Sequence, residues 1–157
     1  VYIQIVIGAT MRHTGAGLAI PDFPLAFGRV IPPIWNPSIA VNFAHRLGAV
    51  IVVSLVIALS AHILARLKTR HELVRPAMLL LLVVVVQFAL GAWTVLSEKQ
   101  VTVNTMHVAN GALLWVTSVV LALRVYRDQF DTLNALESSD PMPSATLTPH
   151  SSRGAGI

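Results

Sequence analysis

Polar side chains interrupt this sequence so sparsely that four apolar stretches can be read off it directly. The first, about residues 1–11, is shorter than the roughly 20 residues a bilayer crossing takes. It is expected to be the outer end of a helix whose beginning lies upstream. The second stretch, about 39–65, stops at Arg66, Lys68 and Arg70. The third, about 76–96, opens on Pro76, a good first-turn residue, and contains the unbroken apolar run from Leu79 to Val86. A short polar link, Ser97 to Gln100, leads to the fourth, about 101–124, which ends at Arg124 and Arg127.

Between the first two stretches lies a loop over 12–38, marked by Pro21, Pro24, Gly28, Pro32 and Pro33. Prolines and glycines at this density stop helices, so at most a short interfacial helix is expected there. Phe23, Phe27 and Trp35 are candidates for the headgroup level. Residues 126–157 are rich in Ser, Thr, Pro and acids, and read as a disordered tail. The fold class is therefore all-α: a polytopic membrane protein with a four-helix transmembrane bundle and a truncated first helix.

Composition agrees with that pattern. Of 157 residues, 55% are hydrophobic and only 11% charged, against about 25% charged in ordinary soluble domains. The formal charge of +4 gives no case for nucleic acid as a partner; the bilayer is the expected surrounding. Arg66, Lys68, Arg70 and Arg75 crowd one connection, and Arg124 and Arg127 follow the last helix on the same side. The positive-inside rule then puts the 66–75 loop and the tail in the cytoplasm, and the 12–38 loop outside a cell (inner) membrane. With no cysteine, disulfides, iron–sulfur clusters and thiolate metal sites are excluded. All seven Asp and Glu are assigned to loops or tail, so carboxylate chemistry within the bilayer has no support.

A repeat runs through the helices. Gln4, Gly8 and Ala9 match Gln87, Gly91 and Ala92, while Asn42 and His45 match Asn104 and His107. Each second member reads Asn-x-x-His with a glycine, Gly48 or Gly111, close behind. Both copies enter and leave the membrane in the same order, which makes the repeat parallel. Each histidine falls ~9 Å below its helix start at 1.5 Å per residue, so the two imidazoles reach one depth in the outer leaflet. Gly48 and Gly111 share the histidine face, leaving bare backbone one turn below each ring.

Two such imidazoles suit the axial positions of a b-type haem iron held within a four-helix bundle. Asn42 and Asn104, one turn above, are candidates to bond a ring N–H or a propionate, and Arg46 to pair with a propionate. The competing reading is a histidine pair hydrogen-bonded across the helix interface without metal. Ala40, Ala44 and Gly48 also form a small-residue packing stripe. Gln4 and Gln87 read as interhelical hydrogen bonders. His62 lies about 25 Å deeper than His45 and has no histidine partner on the fourth helix. His13, His71 and His150 fall in loops or tail.

The run Gly8-Ala9-Thr10-Met11-Arg12-His13-Thr14-Gly15-Ala16-Gly17-Leu18-Ala19-Ile20-Pro21-Asp22-Phe23-Pro24 resembles the loop signature of the haem A synthase family. Phe43 to Ala49, Gln87 to Leu96 and Asn104 to His107 are similar to further family motifs, and the likeness covers about residues 1–125. The resemblance implies an eight-helix protein of two related four-helix halves, one holding haem O while its ring methyl is oxidised to the formyl of haem A. The other half holds a haem b cofactor that relays electrons, and this chain looks like that second half. On this reading His45 and His107 ligate the iron, haem O is the substrate in the other half, and an electron donor is a partner. Haem O synthase or a second copy of the chain are further candidate partners. Asn42 stands where the substrate half carries a glutamate, so no catalytic residue is assigned here. Ile20 and Ala26 stand about where many members carry a cysteine pair. The alternative is a free-standing bis-histidine cytochrome b that transfers electrons.

Overall fold

The structure, a computed structural model, describes the backbone of residues 1–139 and the side chains of residues 1–131. Its described residues form α1 (Tyr2–His13), one 3-10 turn (Ala16–Leu18), α2 (Pro37–Arg66), α3 (His71–Leu96) and α4 (Val101–Ser139). The helices from Pro37, His71 and Val101 are each long and apolar enough to cross a membrane. Together with the absence of strand elements among the described residues, this gives an all-helical, multi-pass membrane protein.

Local chemistry fixes where each helix begins. Asn36 caps α2, its side-chain oxygen accepting from the Ile39 N–H at 2.8 Å, and Pro37 occupies the first helical position; both are favoured at helix starts. The α3 start departs from expectation. It begins at His71, five residues before Pro76, and so takes Glu72 into its first turn, where an acid favours the helix dipole. Pro76 has no N–H for the carbonyl four residues back, and Arg124 Nη1 donates to that Glu72 carbonyl at 2.9 Å instead. The helix tolerates its proline because another helix supplies the missing donor.

At the other end, α4 runs to Ser139, where an end near 124 and a disordered continuation were expected. Tyr126–Phe130 ring contact (5.3 Å) and an exposed Arg127–Asp131 pair one turn apart (3.9 Å) accompany that extension. Such i,i+4 contacts support an exposed helix without tertiary packing. The part of the expected tail from 140 on, including His150, lies outside the described residues. The chain divides into a unit Val1–Val125 and the segment from Tyr126.

Within Val1–Val125 the helices succeed one another around a bundle. α1 packs on α2 and α2 on α3. Asn110 of α4 bonds a carbonyl of α3, and Tyr2 of α1 meets Trp115 of α4 at 5.5 Å between rings. The half of the bundle away from the 12–38 loop is an apolar core of Val56, Ile63, Leu80, Val84, Leu114 and Leu121 with their neighbours. There Ser60 and Ala77, both fully buried, face each other, with Ser60 Oγ donating to the Ala77 carbonyl at 3.3 Å. Small residues let the two backbones approach, and close packing, not water exclusion, joins helices in lipid. Many large side chains stay exposed, among them Ile3, Leu55, Leu82 and Leu123, as a surface facing acyl chains or other helices requires.

The outer loop is folded around its own small core of Ile20, Ala26 and Ile39, against which Phe27 and Phe43 pack. Ala26 and Arg29 pair across a tight turn whose two central residues, Phe27 and Gly28, have φ of 55° and 72°. Asp22 holds that turn, its two carboxylate oxygens accepting from the Phe27 and Gly28 N–H groups, each at 2.8 Å. The Gly28 bond chiefly, with that from Phe27, holds the Asp22 carboxyl below the ordinary aspartate pKa. Of the three aromatic residues expected at the headgroup level, Phe23 instead packs on Phe88 of α3 (6.0 Å, edge to face) and Phe27 turns into the loop core. Trp35, 55% exposed, rests edge-on against Phe43 at 5.5 Å.

Candidate haem site in the outer half of the bundle

His45 and His107 occupy corresponding places in the two helix pairs. A Cβ built on Gly8 of α1 would come within 2.8 Å of His45 Cε1, and one on Gly91 of α3 within 3.1 Å of His107 Cε1. Each ring therefore lies on bare backbone of the preceding helix, a seat that any larger residue would fill. The glutamines repeat the exchange in reverse. Gln4 lies on Gly48 of α2, and Gln87 on Gly111 of α4, where its Nε2 would be 3.1 Å from an added Cβ. The clearance expected at Gly48 and Gly111 is thus occupied by glutamine side chains. Gly8 and Gly91 are the glycines that face the imidazoles.

Each glutamine also touches its histidine. Gln4 Nε2 donates to the His45 carbonyl at 2.7 Å and lies 3.1 Å from His45 Nδ1. Because a carbonyl can only accept, the near atom of the amide is its NH2, and Nδ1 is the acceptor. In the second copy Asn110 Nδ2 donates both to the Val83 carbonyl, at 3.0 Å, and to Gln87 Oε1, at 2.9 Å. That fixes the Gln87 amide too, and its Nε2 faces His107 Nε2 at 3.4 Å. Asn110 escaped sequence reading because it stands where the first copy has Gly48. A polar residue three places after His107 was its only signal.

Both rings are half-buried, and His107 Nδ1 is a buried ring nitrogen with no hydrogen-bond partner among the described residues. A buried polar atom left so is costly; a metal bonded there would satisfy it, as a water or a hydrogen-bonding ligand would. No cluster of three or more His, Cys, Asp or Glu able to hold a bare metal ion occurs among the described residues. Two imidazoles lacking a third protein ligand match a macrocycle that brings four nitrogens of its own. The residues present fit that group.

The donor groups of the polar neighbours of His45 are committed elsewhere, while the buried Asn42 Oδ1 has no hydrogen-bond partner among the described residues. Asn42, 2% exposed, donates through Nδ2 to the carbonyls of Ala16 (2.9 Å) and Gly17 (3.2 Å). Arg46 donates through Nη1 to the Asp22 and Leu25 carbonyls (2.7 and 2.9 Å) and through Nη2 to that of Ile20 (2.7 Å). Its guanidinium also lies 6.0 Å from the centre of the Phe23 ring. Both were expected to reach toward the cofactor; both hold the outer loop instead. Asn104, the counterpart of Asn42, is half-buried and is preceded by no comparable loop for it to hold. His62 is exposed on α2, and His13 and His71 are exposed at helix ends, not in loops.

Known proteins are similar to this chain in sequence. Proteins named "Heme A synthase" are similar to it: that of Symbiobacterium thermophilum is 38% identical over 108 residues, covering 68% of this chain and 34% of the relative. That of Sinorhizobium medicae is 34% identical over 125 residues, 71% of this chain and 33% of the relative. That of Halalkalibacterium halodurans is 29% identical over 128 residues, 82% of this chain and 43% of the relative. A family model described as "Cytochrome oxidase assembly protein" matches residues 1–119. The chain belongs to the haem A synthase family. This is a family of oxidoreductases, and the matched residues include both histidines, both glutamines and the whole outer loop. The chain spans between a third and somewhat over two fifths of the length of the curated haem A synthases it matches.

Proposed function

We propose that this chain is the electron-relay portion of a haem A synthase, holding a b-type haem between His45 and His107. The observation that supports it is the doubled seat. In each helix pair an imidazole lies on a glycine of the preceding helix, and a glutamine lies on a glycine of the following one. Internal duplication that preserves these contacts, while Arg46 of one copy stands where the other has Val108, points to a group with two equivalent sides. When bound, haem b would supply a one-electron carrier inside the bilayer.

The chain's own residues do the rest. His45 and His107 hold the iron, and the apolar core beneath them excludes water. Arg46 and Asn42 keep the outer loop closed over that end of the bundle. The substrate haem O would sit in a part of the protein beyond this chain, where its ring methyl is oxidised to the formyl of haem A with electrons from a separate donor. The 66–75 connection, rich in Lys and Arg, faces the cytoplasm and the 12–38 loop faces out of the cell membrane.

The test is a haem analysis of the protein purified from membranes of cells grown with ample haem. A b-type haem with a six-coordinate, low-spin spectrum is expected, together with haem A formation when the chain is joined to a haem O-binding half in a host without its own haem A synthase. A protein that takes up no haem under those conditions would be a helix-packing module, and the proposal would fall. Haem b without any haem A formation even when joined to that half would favour a free-standing electron-transfer cytochrome.

A further inference from the structure

Resting on the haem reading above, we propose that Gln4 and Gln87 are two-state positioning residues: each donates to its empty histidine and turns to accept from the loaded one. A neutral imidazole carries one proton on its two nitrogens. With Gln4 donating to His45 Nδ1, that proton sits on Nε2. With Gln87 donating to His107 Nε2, it sits on Nδ1, the buried nitrogen that has no partner among the described residues. In both copies the nitrogen not facing the glutamine, Nε2 of His45 and Nδ1 of His107, is the one that would meet iron, and it carries the proton that must leave.

Iron bonding there keeps the ring neutral only if the proton moves to the nitrogen facing the glutamine. That nitrogen then becomes a donor and needs an acceptor. A metal-bound histidine almost always finds one for its second N–H. An amide provides it by a half-turn, presenting Oε1 where NH2 had been. Leucine offers neither atom and an ionised carboxylate offers only acceptors, whereas the glutamine amide serves both states without a change of protonation. This explains two strongly polar groups beside the histidines in the apolar middle of the helices.

The turn has a cost on each side, and the cost differs. Gln4 gives up its 2.7 Å bond to the His45 carbonyl, and Gln87 gives up the 2.9 Å bond from Asn110. Bare glycines beneath both amides, Gly48 and Gly111, leave room for the half-turn that a Cβ at either position would obstruct.

An acceptor on the second ring nitrogen makes the imidazole a stronger donor to iron and favours the oxidised state. The experiment is a redox titration with low-temperature EPR on the haem-loaded protein carrying Gln4→Met, Gln87→Met, Gln4→Glu or Gln87→Glu. Methionine keeps length and volume while removing both hydrogen-bonding atoms. The Met variants should stay low-spin and bis-histidine, yet shift the reduced-to-oxidised ratio about tenfold toward reduced, a rise of about 59 mV for one electron. The Glu variants, which keep an acceptor, should show no rise. Haem-loaded Met variants with unchanged potential, or Glu variants that rise as the Met ones do, would overturn the proposal and leave the glutamines as packing groups. A wild-type protein that takes up no haem would instead remove the haem reading on which it rests.

Discussion

The first helix pair, α1–α2, and the second, α3–α4, are copies of one unit put to different uses. At the site they share three contacts: glutamine on glycine, imidazole on glycine, amide against ring nitrogen. What they do not share is support. In the first pair Arg46 and Asn42 of α2 reach outward and bind five backbone carbonyls of the long loop. In the second the link is only Ser97–Gln100, Val108 replaces Arg46, and Asn110 braces Gln87 from within. With no second sequence to compare, the duplication serves as an internal alignment. The glutamine, imidazole and glycine contacts recur in both copies, whereas Arg46 has an apolar counterpart and Asn110 stands where the first copy has Gly48.

That division is open to attack where the copies differ most. Arg46→Ala removes the donor to three loop carbonyls, and bonds to charged groups contribute about 1.5–3 kcal/mol each when well sheltered. With the guanidinium half-exposed, a loss of about 3 kcal/mol in stability of the loop is expected, read as faster proteolysis between residues 12 and 38. Its counterpart Val108→Ala, at a position 50% exposed, should stay within about 0.5 kcal/mol. Equal effects of the two substitutions would mean that the copies are not functionally distinct.

A smaller contrast separates the two imidazole seats. Gly8→Ala places a methyl 2.8 Å from His45 Cε1, and Gly91→Ala places one 3.1 Å from His107 Cε1. Crowding of this kind costs about 1–3 kcal/mol, while alanine regains about 1 kcal/mol of helix propensity over glycine. Thermal unfolding in detergent should show Gly8→Ala destabilised by about 1 kcal/mol and Gly91→Ala near neutral. A reversed order would indicate that the rings do not rest on these glycines.

The smallest effect concerns pH and belongs to the first copy alone. The folded Asp22 carboxyl is held below its unfolded value by the Gly28 and Phe27 N–H groups, so its contribution is fully present above the unfolded pKa. It is lost as pH falls below 3.8 toward the depressed folded value. Amide exchange at Phe27 and Gly28 should therefore lose protection in that acid window, and Asp22→Asn should lose the pH dependence. No such change is expected at Ser97–Gln100.

Much of this was legible in the residues. Long apolar runs marked three spans, because lipid imposes a length that sequence reports directly; α2 agrees at both ends, while α3 starts five residues early and α4 runs on past 124. The duplication exposed His45 and His107, since polar groups in apolar helices are few enough for coincidences to count. The roles of Asn42 and Arg46 were hidden because each depends on which way a folded loop returns, and loop carbonyls leave no mark in sequence. Gly48 and Gly111 were placed on the histidine face correctly, yet their tenants are Gln4 and Gln87. Helical spacing gives a face but not the neighbour that fills it. The early start of α3 depended on Arg124, fifty-two positions from the Glu72 carbonyl it satisfies, beyond the reach of any local rule about Pro76.

An electron-relay role requires that His45 and His107 hold one iron between them. The most direct measurement is the low-temperature EPR spectrum of the haem-loaded ferric protein beside His45→Gly and His107→Gly, each recorded before and after adding imidazole. A low-spin bis-histidine signal is predicted in the parent, with its loss in either variant and its return when free imidazole enters the vacated position. An unaltered low-spin signal in either variant without imidazole would contradict that ligation.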